Sequence, residues 1–158
     1  MVSRISSFPH GWHVAEVEID PDTGAVELAR YTAIDDVGRA VNPMIIHGQT
    51  HGGIAQGMGQ ALMEHCVFDP ESGQALAGSF MDYAMPRAGD LSGFHCESNP
   101  VPTKTNPLGV KGAGEAGAVG AMPAVGNALV DALKPLGIRD VPMPASPERI
   151  WRAIRGAR

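Results

Sequence analysis

Five glycines inside a segment patterned as a helix constrain this chain more than any other feature. The segment is PMIIHGQTHGGIAQGMGQALME, residues 43–64. Ile45, Ile46, Ile54, Met58, Ala61 and Leu62 recur at helical spacing. Asn42 suits the N-cap and Pro43 the first helical position. Gly48, Gly52, Gly53, Gly57 and Gly59 each weaken a helix by about 1 kcal/mol. So many glycines imply that something large lies close to the backbone, either another helix or a ligand.

The flanking sequence supplies strands. WHVAEVEI (12–19) and AVELARYTAIDD (25–36) alternate as strands do, and DPDTG (20–24) between them is a turn, so 12–36 reads as a β-hairpin. CVFDPESGQAL (66–76) reads as a second hairpin around Pro-Glu-Ser-Gly, and GFHCESNP as a short strand. From Glu115 to Leu133, Val119, Met122, Val125, Leu129 and Leu133 follow helical spacing, with Pro123 predicting a kink or a late start. SPERIWRAI (146–154) reads as a last helix, with Ser146 as N-cap, Pro147 next and Glu148 in the first turn. The expected fold is α+β: an antiparallel sheet with hairpins packed against about three helices, in one domain over 1–158. A chain of that length buries about two thirds of its unfolded surface, enough for a core.

Charge and composition exclude several classes. The net charge is -5 and no basic stripe exists, so nucleic acid is not an expected partner. No run of 18 apolar residues is found, so no membrane span is expected. MVSRISSFPHGWHV lacks the apolar core of a signal peptide, and the expected location is cytoplasmic. Cys66 and Cys96 have no CxxC partner and read as buried thiols, too few to ligate a four-thiolate iron–sulfur cluster. The methionines read as core filler.

GVKGAGEAGAVG (109–120) holds one carboxylate, Glu115, among five glycines. Gly112, Gly114 and Gly117 spell the dinucleotide fingerprint, but its context is wrong. PTKTNPLGVK precedes it where a buried strand belongs, and an acid beside the second glycine would repel a pyrophosphate. What remains is a carboxylate at the mouth of a helix, whose free N–H groups and dipole favour negative charge. Such an acid serves as a general base or stands as an exposed first-turn residue. His47 and His51 would share a helical face, but with His65 they read as surface or packing histidines rather than metal ligands, and no metal site is expected. Asp35 and Asp36 read as a strand-end turn rather than an acid–base pair.

GVKGAGEAGAVGAMPAVGNALVDAL closely resembles the C-terminal signature of the xanthine dehydrogenase and aldehyde oxidase family of molybdenum hydroxylases. The likeness is greatest to the molybdopterin-binding large subunit of the aerobic carbon monoxide dehydrogenase type. It extends through residues 12–62, GSFMDYAMPRAGDL, VPTKTNPLGVKG and MPASPERIWRAI, nearly the whole chain. Subunits of this family are several times longer, so the resemblance implies a terminal portion that works with an upstream molybdopterin-binding domain.

The resemblance also implies roles. Glu115 would be the catalytic base, taking a proton from the metal's hydroxide so that oxygen attacks an electron-poor carbon. Gln49 would contact the pterin, while Lys111, Gly112, Ala113 and Gly114 would shape the loop over the cofactor. The implied cofactor is molybdopterin carrying molybdenum, as the cytosine dinucleotide, with FAD and [2Fe-2S] on partner subunits. The implied substrate is a small molecule: an aldehyde, an N-heterocycle or carbon monoxide. The alternative expectation is a non-catalytic assembly or binding module. A face left bare by the missing domain would also permit a homo-oligomer.

Overall fold

The computed structural model describes residues 6–91 and 93–157. Residues 1–5, where the absence of a signal core was partly read, lie outside the described residues. Strand β1 (His10–Ile19) pairs antiparallel with β2 (Val26–Asp36), as the hairpin pattern predicts. The intervening turn is held by Asp20, whose carboxylate accepts the Asp22 N–H and the Thr23 hydroxyl at 2.9 and 2.7 Å. The register sets Gly11 opposite Asp35 and His13 opposite Ala33, and shifts between Glu16 and Val17.

Strand β3 (Phe94–Ser98) joins the far side of β2, in the order β1-β2-β3, and runs parallel to it. The sheet is therefore mixed rather than wholly antiparallel. The reason is connectivity: the chain leaves β2 through a long helix and loop before returning, and a long crossover permits parallel pairing. The predicted hairpin at 66–76 is present as one antiparallel bridge, Phe68 with Ala75, around a tight turn in which Asp69 accepts the Glu71 and Ser72 N–H groups.

Three helices complete the core. Helix α1 (Pro43–Leu62) starts where expected, with Asn42 Oδ1 accepting the Ile45 N–H at 3.2 Å. Helix α2 (Ala116–Leu133) runs through Pro123, which sits on the exposed face, where solvent can serve the Val119 carbonyl. Helix α3 (Pro147–Gly156) contributes Ile150 and Ile154. Those two pack with Leu28, Tyr31, Ile54, Met58, Val125 and Leu129 into one core. By length and composition 116–136 could cross a bilayer, but Ala121, Val125, Leu129 and Leu133 are buried in this core.

The α1–α2 crossing explains part of the glycine pattern. A Cβ at Gly53 would stand 2.8 Å from Ala118 N, and one at Gly57 2.7 Å from Ala121 Cβ. From the other side, a Cβ at Gly117 would stand 2.5 Å from Thr50 O. Those distances are below van der Waals contact, so the backbones meet at glycine and no side chain fits between them. Two expectations fail in detail. Cys66 is exposed and Cys96 half-buried, both as free thiols. Met58 is core, but Met44, Met81 and Met143 are exposed, because they lie on loops and on the outer side of α1 rather than on a packed face.

Candidate active-site cleft

The loop before α2 is fastened to the end of β2. Val110 bridges Gly38, the Arg39 N–H donates to Gly109 O at 2.9 Å, and the Lys111 N–H donates to Val37 O at 2.9 Å. Lys111 Nζ donates to Asp36 Oδ2, and its side chain is only 10% exposed. Asp36 Oδ1 accepts the N–H groups of Gly38 and Val101, each at 2.9 Å. Burial alone would raise the Asp36 pKa, but Lys111 and these two N–H groups together hold it at about 2. Lys111 is thus a loop-fastening residue, and its ammonium is committed to Asp36.

Beyond that anchor the chain passes through Gly112, Ala113 and Gly114 to Glu115, the N-cap of α2. Glu115 is exposed, and its backbone carbonyl accepts the Val119 N–H at 3.0 Å. Its side chain does not cap the helix, and among the described residues its carboxylate has no ion pair or hydrogen bond. It lines a cleft of about 480 Å³ between the start of β1, the end of β2 and the first turn of α2. Phe8, Pro9 and Val119 supply apolar wall, and Gly112, Ala113 and Gly114 lie along the same cleft.

Gln49 meets this loop from α1. It is exposed, and a Cβ at Gly114 would stand 3.5 Å from its Nε2. On the same outward side, Cβ atoms at Gly48 and Gly52 would meet nothing within 4 Å, and the same holds at Gly112. These glycines satisfy no packing demand among the described residues. They leave bare backbone beside an amide side chain that can both donate and accept. That donor set fits the edge and face of a flat, polar-rimmed group such as a pterin.

The sequence reading missed a second feature of the cleft. Asp35 is not a turn residue: it is buried, 5% exposed, and lines the cleft with His13. His13 Nε2 lies 3.1 Å from Asp35 Oδ1, and His13 Nδ1 lies 2.6 Å from the Tyr31 hydroxyl. Two glycines make room for this chain of side chains. A Cβ at Gly11 would collide with Asp35 Oδ1, and one at Gly120 with the His13 ring. The signal was present in the β2 alternation, where Asp35 stands in phase with Tyr31 and Ala33 and so on the inward face. The other histidine pair is structural: the rings of His47 and His51 lie edge to face at 5.7 Å, and His51 also meets Phe94. Among the described residues no group of three or more His, Cys, Asp or Glu side chains could hold a metal ion.

Comparison with known proteins gives consistent matches. A sequence profile described as the molybdopterin cofactor-binding domain matches residues 3–92. The chain is 34% identical over 149 residues to the carbon monoxide dehydrogenase large chain of Hydrogenophaga pseudoflava, covering 94% of this chain and 18% of that one. It is 38% identical over 149 residues to the nicotine 6-hydroxylase large subunit of Paenarthrobacter nicotinovorans, with the same two coverages of 94% and 18%. The crystal structure of the Cu,Mo-CO dehydrogenase in its carbon monoxide reduced state superposes with a TM-score of 0.90 at 35% identity, over 94% of this chain and 19% of that one. The chain spans less than a fifth of each of these relatives.

Proposed function

This chain belongs to the molybdopterin cofactor-binding domain family, and we propose that it forms one wall of a molybdenum hydroxylase site and supplies Glu115 as the base. One observation carries the reading: Glu115, whose side chain does not cap its helix, lines the cleft and follows directly on Gly114, where a Cβ would stand 3.5 Å from the Gln49 amide. Gln49 would hold the cofactor's polar edge, and the backbone of Gly112, Ala113 and Gly114 would lie along it. Lys111 acts at a distance, by fixing that loop to Asp36. When bound, the cofactor, in our reading the cytosine dinucleotide form, supplies a metal centre that takes up two electrons.

The part this chain plays is proton transfer and enclosure. The Glu115 carboxylate oxygens accept a proton from the attacking oxygen group and release it to solvent through the open mouth of the cleft. Phe8, Pro9 and Val119 shield the substrate side from water. We further propose that the working protein includes an upstream domain closing over the outer face of α1, with electrons leaving to iron–sulfur and FAD partners. Carbon monoxide and nicotine appear in the names of relatives, and a small molecule of that scale suits the cleft.

In the complete protein, Glu115→Gln should lower substrate-dependent dye reduction by about 100-fold or more while molybdenum content stays level. A variant as active as the parent would remove Glu115 from the chemistry.

A further inference from the structure

Two neighbouring residues of β2 hold the chain on either side of Glu115. Before it, Lys111 is tied to Asp36 and fastens the loop. After it, the adjacent Asp35 reaches helix α2 through His13, a side chain that the chemistry of Glu115 does not use. Successive strand residues point to opposite faces, so the two acids serve different partners.

The side chains of His13 and Asp35 are 5% and 7% exposed, and His13 Nε2 lies 3.1 Å from Asp35 Oδ1. A carboxylate only accepts, so the ring proton sits on Nε2. His13 Nδ1 then accepts from the Tyr31 hydroxyl at 2.6 Å. Burial first, and then the charge of Asp35, hold that phenol well above its ordinary pKa, so it keeps the proton it donates. Tyr31 is itself fixed, fully buried and edge to face with Phe94 at 5.9 Å. Both nitrogens of the imidazole are committed, and its orientation is set.

The fixed ring meets α2 at Gly120. A Cβ there would collide with His13 Nδ1, Cε1 and Cγ, so the imidazole lies directly against the helix backbone. Three residues earlier, a Cβ at Gly117 would stand 2.5 Å from Thr50 O and 3.0 Å from Ile54 N of α1. The start of α2 therefore has two seats, α1 at Gly117 and the imidazole at Gly120. The first is backbone on backbone. The second is a side chain whose place depends on two hydrogen bonds. Glu115 precedes Gly120 by about 7 Å along the helix axis. A shift of α2 at that seat carries Glu115 with it, and a misplacement of about 1 Å costs a reaction about 100-fold in rate.

We propose that His13 is a positioning residue for Glu115: held by Asp35 and Tyr31, its imidazole sets how far the first turns of α2 stand from the sheet, and so how far Glu115 reaches into the cleft. The inference rests on Glu115 being the base and adds what aims it.

The test is a double-mutant cycle in the complete protein, reading kcat, KM, molybdenum content and amide exchange over residues 115–120. His13→Ala should lower kcat by about tenfold or more while KM and molybdenum stay level. Exchange at 115–120 should quicken while that of α3 does not change. In the Glu115→Gln background, His13→Ala should cost less than about twofold further, because nothing is left to aim. Asp35 Oδ2 is buried without a partner among the described residues, so loss of the His13 donor also weakens the fold. If His13→Ala does not fold, Tyr31→Phe carries the same cycle, since it removes one hydrogen bond to the ring and keeps the aromatic packing; the same pattern is expected at smaller size. Unchanged kcat or unchanged exchange at 115–120 in the variant that folds would overturn the positioning role and leave Glu115 as the base. So would an equal loss of kcat in the Glu115→Gln background, or a loss that tracks molybdenum content. A Glu115→Gln protein as active as the parent is the separate failure, which removes the base and overturns its positioning as well.

Discussion

Gly53 and Gly57 on the inner side of α1 press against Ala118 and Ala121 of α2, whereas Gly48 and Gly52 on its outer side face open space. All four sit in one helix and bear the same propensity cost, yet they have different causes. The inner pair lets two backbones meet, and its purpose is satisfied within the chain. The outer pair serves no contact among the described residues, and it flanks Gln49 beside the loop that carries Glu115. A helix that keeps glycine where alanine would fit is shaped by something other than its own folding. The close packing of α1 is at the crossing, and the cofactor contact we propose lies on the side turned away from it.

Substitution should separate the two sides by sign as well as size. Gly57→Ala forces a methyl into Ala121 Cβ and Ala118 O, at 2.7 and 2.8 Å, and should destabilise the chain by about 3 kcal/mol in urea unfolding. A loss below about 0.5 kcal/mol would mean the crossing is looser than described. The loop anchor comes next. Asp36→Asn should cost about 2 kcal/mol at neutral pH by removing the charge from the Lys111 pair. The Asp36 pKa is lowered from 3.8 to about 2 by folding, so its contribution is complete above the ordinary value and is lost as pH falls toward 2. Stability of the parent should therefore decline more steeply than that of Asp36→Asn between those two values. Parallel acid profiles would remove Asp36 from the fastening of the loop.

The smallest effect has the opposite direction. Gly48→Ala or Gly52→Ala should stabilise the chain by about 0.8 kcal/mol each, the helix-propensity difference, because nothing crowds the added methyl. Destabilisation by either would show that the outer side packs as the inner side does, and the comparison would fail.

Much of this was legible in the residues. Asn42 and Pro43 marked the start of α1, the alternation at 12–36 marked the hairpin, and the excess of glycine marked a close approach. The sorting of those glycines was not legible, because it depends on where α2 crosses α1, a long-range fact absent from local spacing. The parallel pairing of β3 was hidden for the same reason, since a strand pattern does not reveal its neighbour. Lys111 looked like part of the loop over the cofactor. Its pairing with Asp36, 75 positions away, required the fold. Asp35 was open to recognition, as an acid in phase with the buried Tyr31 and Ala33, but adjacency to Asp36 and the end of the strand made a turn look sufficient.

Gly52→Leu in the complete protein puts bulk on the outer side with a residue that favours helix. The measurement is molybdenum bound per chain, by mass spectrometry, alongside a thermal unfolding profile. If the outer glycines keep room for the cofactor, the variant folds at least as stably as the parent and has lost most of its metal. A well-folded variant with full molybdenum would contradict that assignment and leave the outer glycines without a role in holding the cofactor.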